Sequence, residues 1–451
     1  MWLDGLGETR KIYFIGIGGV SMSALAKLTR CIGYQVSGSD LVLGEEVEKL
    51  QKAGVRVRTG AFSGEPSEEL KNADAVAYTD AVPETDGELI FARAAGKLII
   101  KRSELLALVC RKFSFTTAVA GSHGKTTCTA MCAHILKSAR VPFAAHIGGE
   151  DIRLGNFYIN GFEHFVTEAC EYKKNLLTLR PDRAILLNID LDHMECYDGE
   201  EDLVNTFKSY CRNAKTAFVC ADDKRSERLG DFPTFGIKNP FADYRAVDWK
   251  HAGEKYSFTV LEYGRELCRV KLSCVGWCNI YNALAAFAAM RSYGFDEREI
   301  VSGLEEFTAV KRRYEEIGKY RGGSFICDYA HHPKEIASTL ATAASAAKRN
   351  LFVVFQPHTY SRTKLLMEEF AKVLTPVKNL VIYKTYPARE RYDEEGSAHT
   401  LAKRVGSLYA ENIVALKTFL EKSVKEGDEV LFLGAGDIYY AAKFLLKELT
   451  E

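Results

Sequence analysis

The stretch that decides the fold runs Thr117-Ala118-Val119-Ala120-Gly121-Ser122-His123-Gly124-Lys125-Thr126-Thr127, between an apolar strand-like segment and an apolar helix-like segment. The two glycines let backbone N–H groups turn toward an anion at the start of a helix. In such a loop the lysine supplies a positive charge for the β- and γ-phosphates, and the following threonine offers a hydroxyl to Mg²⁺. The spacing G-x-x-G-K-T is shorter than usual, but it still predicts an ATP site. The predicted contacts are Gly121, Ser122, His123, Gly124, Lys125, Thr126 and Thr127.

Length and composition predict several domains and exclude some partners. The chain has 451 residues, and about 150 residues per domain predicts three domains. Its 60 Lys and Arg residues balance 60 Asp and Glu residues, so the chain has no net positive charge that would attract nucleic acid or an anionic membrane. No apolar run approaches the roughly 20 residues that span a bilayer, and a signal-peptide pattern is missing. We expect a cytoplasmic protein without nucleic-acid or membrane partners.

The twelve cysteines are scattered singly through apolar segments, without metal-like spacing. Such cysteines are typical of small buried hydrophobic side chains in a reducing compartment. The sequence therefore predicts free thiols rather than a disulfide framework.

Strand, glycine turn and helix follow one another at three places, each near the start of, or inside, a segment of domain size. The first unit begins at residues 11–19, and the second contains the phosphate loop. From about Lys311 onward, strands at 324–327, 351–355, 380–383 and 430–433 alternate with helical segments. This alternation predicts an α/β protein with parallel sheets that are covered on both faces. Domain boundaries are expected near residues 108 and 309.

A second glycine cluster, Gly16-x-Gly18-Gly19, follows the first strand, and Asp40 ends the next strand. A glycine turn that opens a helix favours a pyrophosphate, and an acid about 20 residues later suits a ribose hydroxyl. Ser21 stands where the dinucleotide fingerprint has its third glycine. The cluster predicts a nucleotide diphosphate site. A nucleotide-sugar, NAD(P) and a turn without a ligand remain open.

Acidic residues follow two strands of the central segment. The segment that begins with a strand at Phe165 ends in two acids, Glu168 and Glu171, and Asp192 and His193 follow a strand predicted over 184–190. Ligands of open α/β sheets gather at the carboxyl ends of strands, so these side chains should face the same crevice as Lys125. Thr126 and Glu168 would supply oxygen ligands to Mg²⁺, whereas a histidine there is more typical of a core or supporting residue.

Polar, cationic and aromatic clusters also occupy strand ends in the last segment. They lie at residues 311–315, 328–333 and 356–362. These clusters predict part of a reaction centre, although each could by itself be a solvated loop.

The order of these motifs resembles that of the Mur ligases over nearly the whole chain, and in particular the branch that joins L-alanine to UDP-N-acetylmuramate. Residues 14–23 and 36–40 are similar to the family's UDP-binding segments, and 120–127 to its ATP loop. Residues 168–172 and 188–194 are similar to its metal-binding segments. Arg313, 328–333 and 355–362 look like the parts that close over ATP and hold the amino acid.

The resemblance implies three domains and a role for each matched residue. The domains are a Rossmann-like UDP-sugar domain over 1–108, a central P-loop ATPase-type domain with a mostly parallel sheet over 109–308, and a Rossmann-like domain over 309–451. The implied sugar-nucleotide contacts are Gly16, Gly18, Gly19, Ser37, Ser39 and Asp40. Besides the phosphate loop, the implied ATP contacts are Asn279, Asn282, Arg313 and Asp328. Thr126, Glu168 and His193 would bind Mg²⁺, and Tyr329, His331, His358 and Arg362 would position alanine.

The implied reaction begins with phosphorylation of the lactyl carboxylate by ATP and ends with attack of the alanine amine on the acyl phosphate. The implied catalytic residues are Lys125, His193, His331, His358 and Arg362, with His331 or His358 as the base. Partners would be small molecules only, and the protein a monomer or a homodimer.

Alternatives to this interpretation are a related ligase that attaches a tripeptide to the same sugar nucleotide, a nicotinamide-dependent oxidoreductase, and a regulator that binds ATP without turnover.

The chain also departs from common family residues at Ser21, Ala61, Ser122, Cys278 and Thr359. Lys208 lies where other Mur ligases carry a modified lysine, which we interpret as coincidence.

Overall fold

The computed structural model describes residues 3–252, 255–347, 349–388 and 390–450. It confirms the predicted α/β class, with three sheets that are mostly parallel. No helix within these ranges is long and apolar enough to cross a membrane.

The first sheet has five parallel strands in the order β3-β2-β1-β4-β5. The chain crosses to the other side of β1 after β3, so the glycine turn that follows β1 lies at a topological switch point, where α/β sheets bind ligands. The elements are β1 (Lys11–Ile15), α1 (Val20–Ile32), β2 (Gln35–Asp40), α2 (Glu45–Lys52), β3 (Arg56–Thr59), α3 (Glu68–Lys71), β4 (Ala75–Tyr78), α4 (Gly87–Ala94), β5 (Leu98–Lys101) and α5 (Arg102–Cys110).

The second sheet has ten strands in the order β15-β14-β13-β12-β11-β10-β6-β9-β7-β8. The phosphate loop follows β6, which pairs in parallel with β10 on one side and β9 on the other. The strands are β6 (Phe115–Ala120), β7 (Phe143–Asp151), β8 (Gly155–Ile159), β9 (His164–Glu168), β10 (Arg183–Leu186), β11 (Thr216–Cys220), β12 (Thr234–Gly236), β13 (Tyr244–Ala252), β14 (Lys255–Glu262) and β15 (Arg265–Val275). The helices are α6 (Lys125–Ser138), α7 (Glu200–Asn213), α8 (Cys278–Arg291) and α9 (Glu297–Glu306), with 3-10 turns at Tyr172–Thr178, Met194–Cys196 and Ser226–Arg228.

The third sheet has six strands in the order β16-β17-β21-β18-β19-β20, with only the β16–β17 pair antiparallel. All four strands that the sequence predicts here are confirmed. The elements are β16 (Glu315–Tyr320), β17 (Gly323–Asp328), α10 (Pro333–Ala346), β18 (Leu351–Phe355), α11 (Tyr360–Leu365), α12 (Met367–Leu374), β19 (Asn379–Tyr383), α13 (Ala398–Val405), β20 (Leu408–Ala410), α14 (Ile413–Ser423), β21 (Glu429–Leu433) and α15 (Ile438–Thr450).

Alternate residues of the third sheet enter two different cores, as expected for strands buried on both faces. Phe325 and Phe432 lie in one hydrophobic cluster, whereas Ile326 and Leu431 lie in the other. The first two sheets instead share a large cluster that contains Phe14 as well as Ala120 and Phe207.

Contacts divide the chain into two compact units. One comprises Met1–Trp249, Phe258–Lys271 and Asn279–Phe307, and the other comprises Lys250–Ser257, Leu272–Cys278 and Thr308–Glu451. The boundary expected at residue 108 falls inside α5, which ends at Cys110. The boundary expected at 309 lies beside the start of the long segment of the second unit at Thr308.

A polar network ties α1 and α2 to the β7–β8 hairpin within the first unit. Glu46 accepts hydrogen bonds from Lys27 at 2.9 Å, Lys49 at 2.9 Å and Asn156 at 3.1 Å. Lys49 also pairs with Glu150 at 3.1 Å. Burial, the largest influence, raises the pKa of Glu46, but the two lysines and Ser23 lower it to about 2. The carboxylate is therefore ionised and contributes stability at neutral pH.

The expectation that the cysteines are free is confirmed, since all twelve are free thiols. Burial holds for most of them, but it is wrong for Cys31 and Cys278, which are exposed.

Candidate active site

The glycine turn after β1 is held by Asp40 at the end of β2. The Gly18 N–H donates to Asp40 Oδ2 at 2.8 Å. A Cβ atom on Gly18 would lie 2.6 Å from Val47 Cγ2 and 2.9 Å from Asp40 Oδ2, so only glycine allows this approach. Gly19 precedes α1 without a side-chain cap. Gly16, Gly18 and Gly19 therefore form a turn at a helix N-terminus, as a phosphate site requires.

Ser37 and Ser39, the other residues predicted for the sugar nucleotide, lie on β2. The Ser39 side chain is buried, and its hydroxyl donates to Glu88. Tyr13 donates to the same carboxylate at 2.8 Å, and Arg58 lies 3.6 Å from it. Sequence reasoning missed Glu88, because it lies 49 residues from Ser39 in a helix without a recognisable motif.

The phosphate loop follows β6 and leads directly into α6, as predicted. Gly121 and Gly124 have φ angles of 134° and 86°, in the region that favours glycine. A Cβ atom on Gly124 would lie 2.6 Å from Asn282 Oδ1. The loop is therefore packed against the start of α8, where Asn282 donates to Asn279 at 2.9 Å.

Two residues that the sequence analysis did not select brace this loop from the segment after β10. The Asn188 side chain accepts from the His123 N–H at 2.9 Å and donates to the His123 carbonyl at 3.0 Å. Asp190 Oδ2 lies 3.0 Å from His123 Nε2, and the Asp190 N–H donates to Ser122 Oγ at 2.8 Å. The predicted strand over 184–190 is too long, because β10 ends at Leu186. The segment after Leu186 is therefore not part of the strand and can turn toward the phosphate loop.

Lys125 lies between the loop and a carboxylate. Its Nζ donates to the Gly121 carbonyl at 2.5 Å, the Ser122 carbonyl at 3.2 Å and Glu171 Oε1 at 2.9 Å. Burial is the largest influence on the pKa of Lys125 and lowers it, but Glu171, followed by Cys170 and Glu168, leaves the pKa above its usual value. The lysine is therefore a charged group at the position where a phosphate would bind.

Thr126 and Glu168, two of the predicted metal ligands, follow neighbouring strands. Thr126 is buried in the first turn of α6. Glu168 ends β9 and accepts a hydrogen bond from the Gly148 N–H at 2.7 Å. A Cβ atom on Gly148 would lie 2.4 Å from Glu168 Oε1, so the neighbouring strand leaves room for the carboxylate only because it has glycine there.

His193, the third predicted ligand, has a left-handed backbone with φ of 54°. Its ring lies 3.4 Å from Glu195 Oε1 and 3.8 Å from Asp192 Oδ2, and it packs edge-on against Tyr172. Within the described residues, no three His, Cys, Asp or Glu side chains form a ready metal-binding group. The metal assignment of Thr126, Glu168 and His193 therefore stays a prediction.

Asp328 and Arg313 lie together in the second unit. Asp328 accepts from the Tyr314 N–H at 2.7 Å and the Ala330 N–H at 2.8 Å. Burial raises the pKa of Asp328, and the Arg313 guanidinium opposes this shift. Arg313 also lies 5.0 Å from the centre of the Tyr329 ring, which joins three predicted site residues in one cluster.

His331, His358 and Arg362 form a neighbouring group in the same unit. The two imidazole rings lie 5.8 Å apart, and His358 stacks on Tyr386. Arg362 Nη1 lies 3.3 Å from His358 Nδ1. Burial, followed by His331 and Arg362, lowers the pKa of His358 to about 4. His358 is therefore neutral at pH 7.

The hydrogen bonds assign different tautomers to the two histidines. A guanidinium can only donate, so His358 Nδ1 accepts and its proton lies on Nε2. A carbonyl can only accept, so His331 Nδ1, 3.0 Å from the Tyr329 carbonyl, is the donor. In its neutral form His331 therefore has its lone pair on Nε2, as a base requires, whereas His358 presents an N–H.

Two residues at positions where the chain departs from the family pattern have structural roles. Thr359 has a φ of 66°, and its N–H donates to the Tyr386 carbonyl at 2.9 Å. The Ala61 carbonyl accepts from Arg58 at 3.0 Å. Lys208, at the position where other Mur ligases carry a modified lysine, donates to the Arg228 carbonyl at 3.4 Å.

Comparison with protein families matches three successive segments of the chain. Residues 11–114 match the Mur ligase family catalytic domain, 119–290 the Mur ligase middle domain, and 312–436 the Mur ligase glutamate ligase domain.

Relatives with assigned names match over the full length. A UDP-N-acetylmuramate--L-alanine ligase of Acetivibrio thermocellus is 35% identical over 97% of this chain and 96% of its own. Its namesake in Clostridium novyi is 35% identical over 98% of each chain. The solved UDP-N-acetylmuramate-alanine ligase of Thermotoga maritima is 30% identical with a TM-score of 0.84, covering 98% of this chain and 99% of its own. Because the sequence identity extends through all three matched segments, this chain belongs to the Mur ligase family.

Proposed function

We propose that this chain is an ATP-dependent ligase that joins L-alanine to the lactyl carboxylate of UDP-N-acetylmuramate, a step of peptidoglycan precursor synthesis. The observation that carries this proposal is the sequence identity of 35%, over nearly the full length, with relatives named UDP-N-acetylmuramate--L-alanine ligase. The phosphate loop around Lys125 supports the dependence on ATP, which is common to Mur ligases. We further propose a cytoplasmic enzyme with small-molecule partners, acting as a monomer or homodimer.

The proposed domains follow the predicted segments 1–108, 109–308 and 309–451. Gly16, Gly18, Gly19, Ser37, Ser39 and Asp40 would bind the sugar nucleotide in the first of them. The glycine turn at the switch point beside β1 supports this assignment, because it leads into the N-terminus of α1, and a helix N-terminus favours a pyrophosphate.

A free carboxylate is a poor electrophile, so the lactyl group must first take the γ-phosphoryl group of ATP. Phosphoryl transfer is catalysed mainly by positioning and charge neutralisation. Lys125 would neutralise the phosphates, and the loop from Gly121 to Thr127 would place them at the N-terminus of α6. Asn279, Asn282, Arg313 and Asp328 would contribute the remaining nucleotide contacts.

Thr126, Glu168 and His193 would hold Mg²⁺. Thr126 and Glu168 suit this ion, because a threonine hydroxyl and a carboxylate are oxygen ligands and the phosphates supply more, whereas His193 is included because the family resemblance implies it. A buried Glu171 oxygen without a hydrogen-bond partner among the described residues also marks a place for a cation. When bound, Mg²⁺ would neutralise charge on the transferred phosphoryl group.

L-Alanine must attack as a neutral amine, although its ammonium form dominates at neutral pH, so a base is required. We assign this role to His331, because its Nδ1–H is committed to the Tyr329 carbonyl and its Nε2 carries the lone pair. His358 would orient the substrate through its Nε2–H. Arg362 would hold the alanine carboxylate, and Tyr329 would line the same site.

The test is phosphate release from ATP with UDP-N-acetylmuramate, repeated with each amino acid omitted or replaced. We expect release that requires both the sugar nucleotide and L-alanine, and that Lys125→Ala abolishes. Release that is indifferent to the sugar nucleotide would refute the proposal. Release with the tripeptide but not with L-alanine would assign the alternative acceptor.

A further inference from the structure

Lys125 has no hydrogen left for a phosphate in this structure. An ammonium group has three donors, and those of Lys125 point to the Gly121 carbonyl, the Ser122 carbonyl and Glu171 Oε1. A nucleotide can therefore contact this lysine only if at least one of the three bonds is released. The nucleotide-free arrangement and the ATP-bound arrangement of the site must differ at Lys125.

The Glu171 contact is the one whose release the chemistry favours. The two carbonyls belong to the loop that begins the same helix, three and four residues from Lys125, and stay within its reach. Glu171 comes from the segment after β9, 46 residues away. Its negative charge would also lie beside the incoming phosphates, and like charges in a site of low dielectric repel strongly.

Release of Lys125 would leave Glu171 in need of another cation. The residue is only 4% exposed, and its Oε2 atom has no hydrogen-bond partner among the residues that the structure describes. A buried carboxylate is costly unless it is paired. The backbone of Glu171 is fixed by the Tyr197 hydroxyl, which donates to its carbonyl at 2.5 Å, so the chain there is held against withdrawal.

We propose that Glu171 exchanges cations during nucleotide binding: it holds Lys125 in the empty site and passes to the divalent cation that arrives with ATP. This inference rests on the proposed function, because it requires that Lys125 binds phosphate. It adds Glu171 to the residues that position the reaction, three residues after Glu168 in the chain. Glu171 also holds the Lys125 ammonium group beside the phosphate loop until the nucleotide arrives.

The test measures how strongly Mg²⁺ couples to nucleotide binding. Titration calorimetry gives the Kd of the non-hydrolysable analogue AMP-PNP with MgCl₂ and with EDTA, for wild type and Glu171→Gln. In wild type we expect Mg²⁺ to tighten binding by about tenfold or more, a typical coupling between two ligands. In Glu171→Gln we expect tightening of about threefold or less, with metal-free binding at least as strong as in wild type, because a negative charge is removed.

Glu163→Gln is the matched control, since Glu163 is exposed and immediately precedes β9, at the end opposite to Glu168. It removes the same charge and should keep the wild-type response to Mg²⁺. If Glu171→Gln keeps that response too, the cation exchange is refuted while the proposed function stands. If wild type binds no AMP-PNP under either condition, the proposed function fails first.

A second measurement does not depend on a folded variant. Wild-type crystals with AMP-PNP and Mn²⁺ should have Lys125 Nζ on a phosphate oxygen and more than about 4 Å from Glu171, beyond ion-pair distance. The anomalous Mn²⁺ peak should lie within coordination distance of a Glu171 oxygen. A nucleotide-bound structure in which Lys125 keeps its bond to Glu171 would overturn the inference.

Discussion

Gly124→Ala should damage the phosphate loop through one identifiable contact. Gly124 has a φ of 86°, and a Cβ atom there would lie 2.6 Å from Asn282 Oδ1 and 3.1 Å from Leu187 Cδ1. The side chain of Asn282 must therefore move, and its hydrogen bond to Asn279 at 2.9 Å is lost. The substitution acts on the loop and on a predicted nucleotide contact at once.

The magnitude follows from two separate costs. A left-handed backbone costs an L-residue about 1–2 kcal/mol relative to glycine. Loss of the Asn282–Asn279 hydrogen bond costs about 1 kcal/mol more. We therefore expect the free energy of unfolding to fall by about 2–3 kcal/mol, and AMP-PNP to bind about tenfold more weakly, equivalent to about 1.4 kcal/mol.

Gly264→Ala separates these costs. Gly264 has a φ of 80°, but nothing lies within 4 Å of the added Cβ atom. It should show only the backbone cost and leave nucleotide binding unchanged. Urea unfolding and titration calorimetry of both variants give the comparison. Equal losses of stability in the two variants, or wild-type AMP-PNP affinity in Gly124→Ala, would refute the reasoning.

Three further predictions concern other parts of the chain. The folded-state pKa of Glu46 is lowered from 4.5 to about 2, so its contribution is present above pH 4.5 and lost as the pH falls toward 2. Wild type should lose about 3 kcal/mol more than Glu46→Gln over that window in unfolding experiments, and parallel pH curves would contradict this. Arg362→Ala should raise the KM for alanine roughly 10- to 150-fold, which corresponds to a loss of about 1.5–3 kcal/mol of binding free energy. An unchanged KM for alanine would show that Arg362 does not hold the alanine carboxylate. His331→Gln should lower kcat by about 100-fold or more, as expected for loss of a general base, and His358→Gln should lower it less; the reverse result would exchange the two roles.

Local patterns predicted the elements that carry local signals. The segment 117–127, which has Gly121 and Gly124 before Lys125, predicted a strand, a turn and a helix because each requirement is met within eleven residues. The four predicted strands of the third sheet are confirmed for the same reason, since continuous apolar runs mark strands buried on both faces. Asp40 was predicted to belong to the same site as the glycine turn, and its hydrogen bond with Gly18 brings the two together, whereas its contact with a ribose hydroxyl stays a prediction.

Other elements gave no comparable signal. The β7–β8 hairpin and the strands β12 to β15 extend the second sheet beyond its central strands β11, β10, β6 and β9, and sequence reasoning did not identify them. The predicted domain boundary inside α5 has a related cause. The first two sheets share one hydrophobic cluster, and a shared core is a property of packing that a linear pattern does not express.

The sequence by itself determined which chemical groups the protein possesses. These are a phosphate loop with Lys125, acids that follow parallel strands, and histidines and Arg362 at strand ends of the last segment. The tertiary structure alone decided what those groups contact. Glu171 reaches Lys125 across 46 residues, and Asn188 reaches His123 across 65. A side chain's protonation, tautomer and availability depend on such partners, because hydrogen bonds and charges act through space. The order of residues along the chain does not record those distances.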